Sequence, residues 1–219
     1  MKKITLIFAV VLAIVSACNQ DDMEQKPTTD FTLTIENVTV PKVFFNSGTT
    51  TGIAPGTSFS FTFHAGKGDY LSLATLLAQS NDLFYAFSDM GLALYDSNGD
   101  AVVGDVTDQV ILWDAGTEVN EEPGTGPNQA PRQTGPDTGA EEDGTIRMIS
   151  EIDDGFTYPS AADIISVVVT HKEKTEFTVT LTNNSDMAAL SSPLAPGVWV
   201  VHSAENPLFE KSTAADRNS

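Results

Sequence analysis

Ser58-Phe59-Ser60-Phe61-Thr62-Phe63-His64 alternates a large aromatic residue with a polar one. In an extended chain successive side chains leave on opposite faces, so Phe59, Phe61 and Phe63 share one face and the hydroxyls the other. A helix would turn Phe61 away from its two neighbours, so this is a half-buried strand. The same period recurs outward in both directions: Phe31, Leu33 and Ile35, followed by Val38 and Val40, then Val110 to Trp113, Ile146 to Ile149, Ile164 to Val169, Phe177 to Leu181 and Val198 to Val201. Leu92 to Tyr95 runs into Asp96-Ser97-Asn98-Gly99, a hairpin-turn signal, and resumes at Ala101 to Val103. About eight to ten β-branched and aromatic segments, separated by turn residues, predict an all-β fold, an antiparallel β-sandwich. Its core is expected to include Phe61, Leu94, Ile111, Val167, Val179 and Val200. Tyr70 to Gln79 reads two ways, because Leu71, Ala74 and Leu77 share a helical face while Ser72 and Thr75 suit a strand.

A chain of 219 residues with 41% hydrophobic residues is long enough for one medium domain with a core. Thirty acids against eleven Lys and Arg give a net charge of −19. Such a surface repels nucleic acid and anionic lipid, which need clustered cations, and leaves cations, neutral glycans and proteins as partners. Residues 114–144 stand apart: they are rich in Gly and Pro and hold eight acids against Arg132 alone. That composition builds no core, and the segment reads as a long acidic loop, functional or disordered.

Cys18 is the single cysteine, so an intramolecular disulfide is excluded. Met1-Lys2-Lys3, the apolar run from Ile4 to Val15 and the small residues Ser16-Ala17 make residues 1–17 a secretory leader, too short for a stable membrane span. The ending Val15-Ser16-Ala17-Cys18 resembles the bacterial lipobox, which implies a lipidated Cys18 as first mature residue and a membrane reached through that lipid anchor. Residues 18–30 are a polar acidic tether. Their acids resemble the export tag of bacterial surface lipoproteins, and equally read as a charged spacer. The expected location is the bacterial outer membrane or cell surface.

His64, His171 and His202 lie on separate strand-like segments with no zinc spacing and read as strand-face residues. No nucleophile elbow, zinc-protease helix, phosphate loop or dinucleotide fingerprint occurs. Asp96-Ser97-Asn98-Gly99-Asp100 has the look of a calcium loop, but Thr107 stands where an EF-hand needs its bidentate Glu. Phe84, Tyr85 and Phe87 suit either a sugar-stacking surface or the core.

Four blocks carry a family resemblance: Ser80-Asn81-Asp82-Leu83-Phe84-Tyr85-Ala86; Gly104-Asp105-Val106-Thr107-Asp108 leading to Leu112-Trp113-Asp114-Ala115-Gly116-Thr117-Glu118; Gly126-Pro127-Asn128-Gln129-Ala130-Pro131-Arg132-Gln133; and Ser192-Pro193-Leu194-Ala195-Pro196-Gly197-Val198-Trp199. In order, over residues 31–219, they resemble the spondin N-terminal domain of the F-spondin type, in a bacterial lipoprotein form. The resemblance implies a C2-like sandwich, a calcium site and an adhesive role. Carried onto this chain, the calcium ligands are Asp82, Asp114 and Glu118, the last standing where animal members have Asp. The cysteines and companion modules of animal members are absent, so an animal-type matrix assembly does not transfer.

The residues themselves leave two readings of that trio. Asp114 follows Val110-Ile111-Leu112-Trp113 and so brings a carboxylate to the rim of a buried strand, where it needs a partner. Gly116 lets the chain turn so that Glu118 reaches the same point, and no histidine or thiol favours a softer metal. Alternatively, Asp82 and Asp114 close Asx turns and Glu118 is a solvated loop residue. The functional expectation is a non-catalytic, calcium-binding adhesion or ligand-binding module with a glycan or protein ligand outside the cell and no nucleic acid. The alternatives are an extracellular glycan-acting hydrolase and a purely structural envelope lipoprotein.

Overall fold

The computed structural model of the chain describes residues 32–36 and 44–215. The leader, Cys18, the tether, Phe31, Val38 and Val40 lie outside the described residues. The chain divides into two units, Met1–Val40 and Pro41–Ser219. In the first, Thr32–Glu36 forms no strand, and Leu33 and Ile35 are exposed. The strand expected over these five residues is therefore corrected: alternation alone makes no strand without a neighbour to supply the ladder.

Among its described residues the second unit has eleven strands: β1 (Phe44–Thr49), β2 (Ser58–His64), β3 (Tyr70–Leu76), β4 (Leu83–Ala86), β5 (Leu92–Ala93), β6 (Gly104–Asp105), β7 (Ile111–Asp114), β8 (Arg147–Met148), β9 (Ile165–Lys172), β10 (Glu176–Asn183) and β11 (Val198–His202). They form two antiparallel sheets packed as a sandwich. One has the order β1-β11-β3-β4-β7-β8 with β5 also on β3, the other β2-β10-β9-β6. An α-helical turn, α1 (Ala161–Ile164), is capped by Ser160, whose hydroxyl accepts from the Asp163 amide. Tyr70–Leu76 resolves as a strand because β11 and β4 or β5 pair with it on both sides.

The four-stranded sheet follows its alternation. Phe61, Phe63, Val167, Val169, Phe177, Val179 and Leu181 enter the core, and Phe61 stacks on Trp199 of the facing sheet at 4.6 Å between ring centroids. On the outer face, hydroxyls pair across strands at 2.8 Å, Ser58 with Thr182, Ser60 with Thr180 and Thr62 with Thr178. Phe61, Leu94, Val167 and Val179 are thus core residues as expected.

Ile111 is not, and Val200 is buried as expected but on the face away from that main cluster. Each is one position out of phase with residues that do enter: Leu112 beside Ile111, and Trp199 and Val201 beside Val200. A shift of one residue moves a side chain to the other face. Ile111 packs into a second apolar cluster on the outside of the larger sheet, with Phe84, Trp113 and Ile146, against Phe209 and Ala215 from the C-terminal segment. Tyr85 and Phe87 lie in the main core. The aromatic run is therefore packing, not an open sugar platform.

Asp96–Gly99 is the expected tight turn: the Asp96 carboxylate accepts from the Asn98 and Asp100 amides, and Gly99 has φ +82°. Those bonds, that from Asp100 first, lower the Asp96 pKa. The 114–144 loop is ordered, held by hydrogen bonds rather than apolar packing. At its centre the fully buried Gln129 donates to Asn81 Oδ1 and the Glu121 carbonyl and accepts from the Gly124 amide. The Glu121 carboxylate holds Asn128, and Arg132 binds the Gly126 carbonyl. The histidines sit on or beside strands. His202 is buried, paired with Ser72 Oγ at 2.8 Å and the Ala204 carbonyl at 3.0 Å, and burial lowers its pKa.

Candidate metal centre

The antiparallel pairing of β4 and β7 sets Leu83 opposite Asp114. Asp82, one residue before β4, and Asp114, the last of β7, therefore meet at one end of the larger sheet. The link is tightened by the Ala115 amide, which donates to the Asp82 carbonyl. Gly116, with φ +68°, turns the chain immediately after, and a Cβ there would stand 2.8 Å from the Thr145 nitrogen. Only glycine fits that turn, which brings Thr117 and Glu118 back over Asp82.

All three expected ligands are buried, with relative exposures of 8% for Asp82, 0% for Asp114 and 7% for Glu118. Their surroundings differ. Asp82 Oδ2 accepts from the Thr117 amide at 2.6 Å, the Thr117 hydroxyl at 2.8 Å and the Glu118 amide at 3.1 Å. Asp82 Oδ1 is buried without a hydrogen-bond partner. Burial, followed by the charge of Asp114, raises the Asp82 pKa against the lowering effect of the Thr117 and Glu118 bonds.

Asp114 is saturated by comparison. Its Oδ1 accepts from the Gly116 amide at 2.7 Å, the Asx turn of the alternative reading. Its Oδ2 accepts from Asn120 Nδ2 at 3.1 Å and from Arg147 Nε and Nη2 at 3.1 and 3.0 Å. Arg147 also binds Glu142. Burial works against the guanidinium charge, but Asp114 and Glu142 more than offset it and raise the Arg147 pKa. The Glu118 carboxylate turns to the Gly139 amide at 2.9 Å and Asn81 Nδ2 at 3.4 Å. The expectation of a solvated loop residue at Glu118 is therefore incorrect.

The structure thus brings Asp82 and Asp114 together and lays the Glu118 backbone on Asp82, while the Glu118 carboxylate is engaged elsewhere. Among the described residues no three His, Cys, Asp or Glu side chains form a ready metal cluster. Sequence reasoning missed Arg147, the nearest competitor for Asp114. The signal was available: Arg147 lies within the strand predicted at Ile146 to Ile149, and the register places it opposite Asp114. Asn81, Thr117 and Asn120 were not legible, because their roles depend on loop closure. Comparison of the chain with protein-family models, with curated proteins and with solved structures gives no match.

Proposed function

We propose that the chain is a lipid-anchored surface protein, tethered through Cys18, whose sandwich binds calcium at the β4–β7 rim and acts as a non-catalytic adhesion or ligand-binding module. The carrying observation is Asp82 Oδ1, a buried carboxylate oxygen with no donor, beside a second buried carboxylate. An ionised oxygen in that position is costly unless a proton or a cation meets it. A hard cation that prefers oxygen ligands fits this donor set, which contains neither histidine nor thiol.

Asp82 would hold the ion, with Asp114 and Glu118 contributing from either side and backbone carbonyls and water completing the shell. Calcium would supply charge neutralisation where Asp114 is now met by Arg147 and Asp82 only by two amides and a hydroxyl. The lipid anchor is supported by the leader and the small residues before Cys18, and the outer-surface location by the acidic tether. The spondin resemblance and the C2-like description belong to this same proposal.

The test is calorimetric titration of the Cys18→Ser chain with calcium and with magnesium, alongside thermal unfolding in calcium or chelator. Calcium heat that disappears in Asp82→Asn, but persists in the exposed-site control Glu173→Gln, is the expected result. No heat and no calcium-dependent shift in unfolding temperature would remove the metal from the proposal.

A further inference from the structure

The outer faces of the two sheets differ in chemistry. On the smaller sheet, Ser58, Ser60 and Thr62 of β2 meet Thr182, Thr180 and Thr178 of β10 in a surface of paired hydroxyls. On the larger sheet, Leu76 of β3 and Val198 of β11 stand on the outside instead, 47% and 41% exposed. The C-terminal segment covers part of that face and stops short of these two. Phe209 packs edge-on against Phe84 and Trp113, with ring centroids 5.2 and 5.1 Å apart. Two backbone bonds of 2.8 Å fix the segment to the sheet side, from the Ser212 amide to the Ile146 carbonyl and from the Ile146 amide to the Thr213 carbonyl.

Between this fixed wall and the sheet lies an open cavity of about 320 Å³, walled by Leu76, Val198, Leu208 and Phe209, with Ala74 and Ala115 too short to fill it. That volume falls in the range of small-molecule sites. The lining is neutral throughout. The chain carries 30 acids and 11 Lys and Arg, yet among the described residues none of them lines the cavity. Thr75 supplies its one polar side chain, and that hydroxyl already donates to the Ala195 carbonyl at 2.8 Å. A charged group entering here would lose water and find no counter-charge. An apolar one would cover Leu76 and Val198, which otherwise face solvent. The residues after Ala215, Asp216 to Ser219, are all polar and supply no apolar side chain for the purpose.

We propose that this cavity is a binding site for an uncharged, ring-containing apolar small molecule, seated against Phe84 and Phe209 with Leu76 and Val198 at its mouth. Two phenyl rings in the wall favour a ring over an alkyl chain, because aromatic pairs gain from offset and edge-on contacts beyond the area they bury. The site goes beyond the calcium reading. Ala115 follows Asp114 in the chain, but no carboxylate enters the lining, so binding needs no metal.

The test is fluorescence titration of the Cys18→Ser chain, in chelator, with two probes of one skeleton: neutral N-phenylnaphthylamine and its anionic derivative anilinonaphthalene sulfonate. The neutral probe should bind saturably, and the sulfonate at least about tenfold more weakly. Ala74→Ile fills the cavity with a residue suited to a strand, and Leu76→Asp places a charge at its mouth. Each should weaken the neutral probe about tenfold, while Met187→Ala, at an exposed residue outside the cavity, should leave it unchanged. No saturable binding of the neutral probe, equal affinity for the two probes, or indifference to both cavity variants would overturn the proposal. So would a dimer in light scattering that excludes the probe, which would give the cavity to a second copy of the chain. Should Ala74→Ile fail to fold, Leu76→Asp on the exposed rim and the comparison of the two probes still decide. Because chelator is present throughout, failure here leaves the calcium titration standing, and failure of that titration leaves this site standing.

Discussion

Arg147→Met isolates the electrostatics of the candidate site. Arg147 donates two hydrogen bonds to Asp114, whose side chain is fully buried, while the Arg147 side chain is itself 34% exposed. Methionine keeps much of the apolar stem and removes the charge and both donors. Breaking a buried ion pair by removing one partner costs about 3–5 kcal/mol. Here Gly116 and Asn120 still hold Asp114, and water reaches the partly exposed position, so the expected loss is about 2–3 kcal/mol. At about 2–4 °C per kcal/mol for a domain of this size, the metal-free unfolding temperature should fall by about 4–12 °C. Adding Asp114→Asn should restore part of that loss, because it removes the stranded charge. Calcium should stabilise Arg147→Met more than wild type, since the competing guanidinium is gone. The assay is differential scanning calorimetry of the three chains in chelator and in calcium. A metal-free fall below about 2 °C, or a double variant less stable than Arg147→Met, would refute the reasoning.

The raised Asp82 pKa gives a pH signature. A carboxyl that holds its proton more tightly folded than unfolded stabilises the fold fully below its unfolded value, and that contribution is lost as pH rises through the folded value. Metal-free stability from this group should therefore decline from about pH 4 upward, and Asp82→Asn should flatten that segment in urea titrations at stepped pH. Cys18→Ser should move the chain from the membrane fraction to the soluble one and abolish fatty-acid labelling; a variant that stays membrane-bound would end the lipoprotein reading. Gln129→Glu should cost about 2–4 kcal/mol, because the Glu121 carbonyl loses the Gln129 donor, Asn81 Oδ1 keeps only the Glu121 amide, and a carboxylate is buried against both oxygens. Limited proteolysis should then cut within residues 114–144 sooner than in wild type, and an unchanged cleavage rate would contradict the role given to Gln129.

Glu142 illustrates how the structure alters an experiment that sequence alone would design. Read as one more loop acid, it looks like a neutral control for Asp114, yet it binds Arg147 and shares the site. Glu173, exposed in the turn between β9 and β10, is the better control.

Sequence alone determined the class of fold and, in its plainest strands, which side chains share a face. The period of two in Ser58–His64, Ile165–Lys172 and Glu176–Asn183 is a local property, since neighbouring side chains on an extended backbone leave on opposite faces whatever lies across from them. The turn at Asp96–Gly99 was legible for the same reason: its hydrogen bonds span a few residues. Asp114 at a strand end and Gly116 at a turn were also readable locally. Which face is core could not be read where both faces of the larger sheet are covered. Ile111 was misassigned there, because Phe209 and Ala215 return from far along the chain to cover the outside of that sheet. The same limit applied to the site. That Asp82 keeps one oxygen without a partner, that Asp114 is matched by Arg147, and that Glu118 turns to Gly139 are facts of which chain segment closes over which. Gln129 orders a loop whose composition gave no hint of order. Its partners are Asn81 and the loop's own backbone, brought within reach only when the strands on either side have paired.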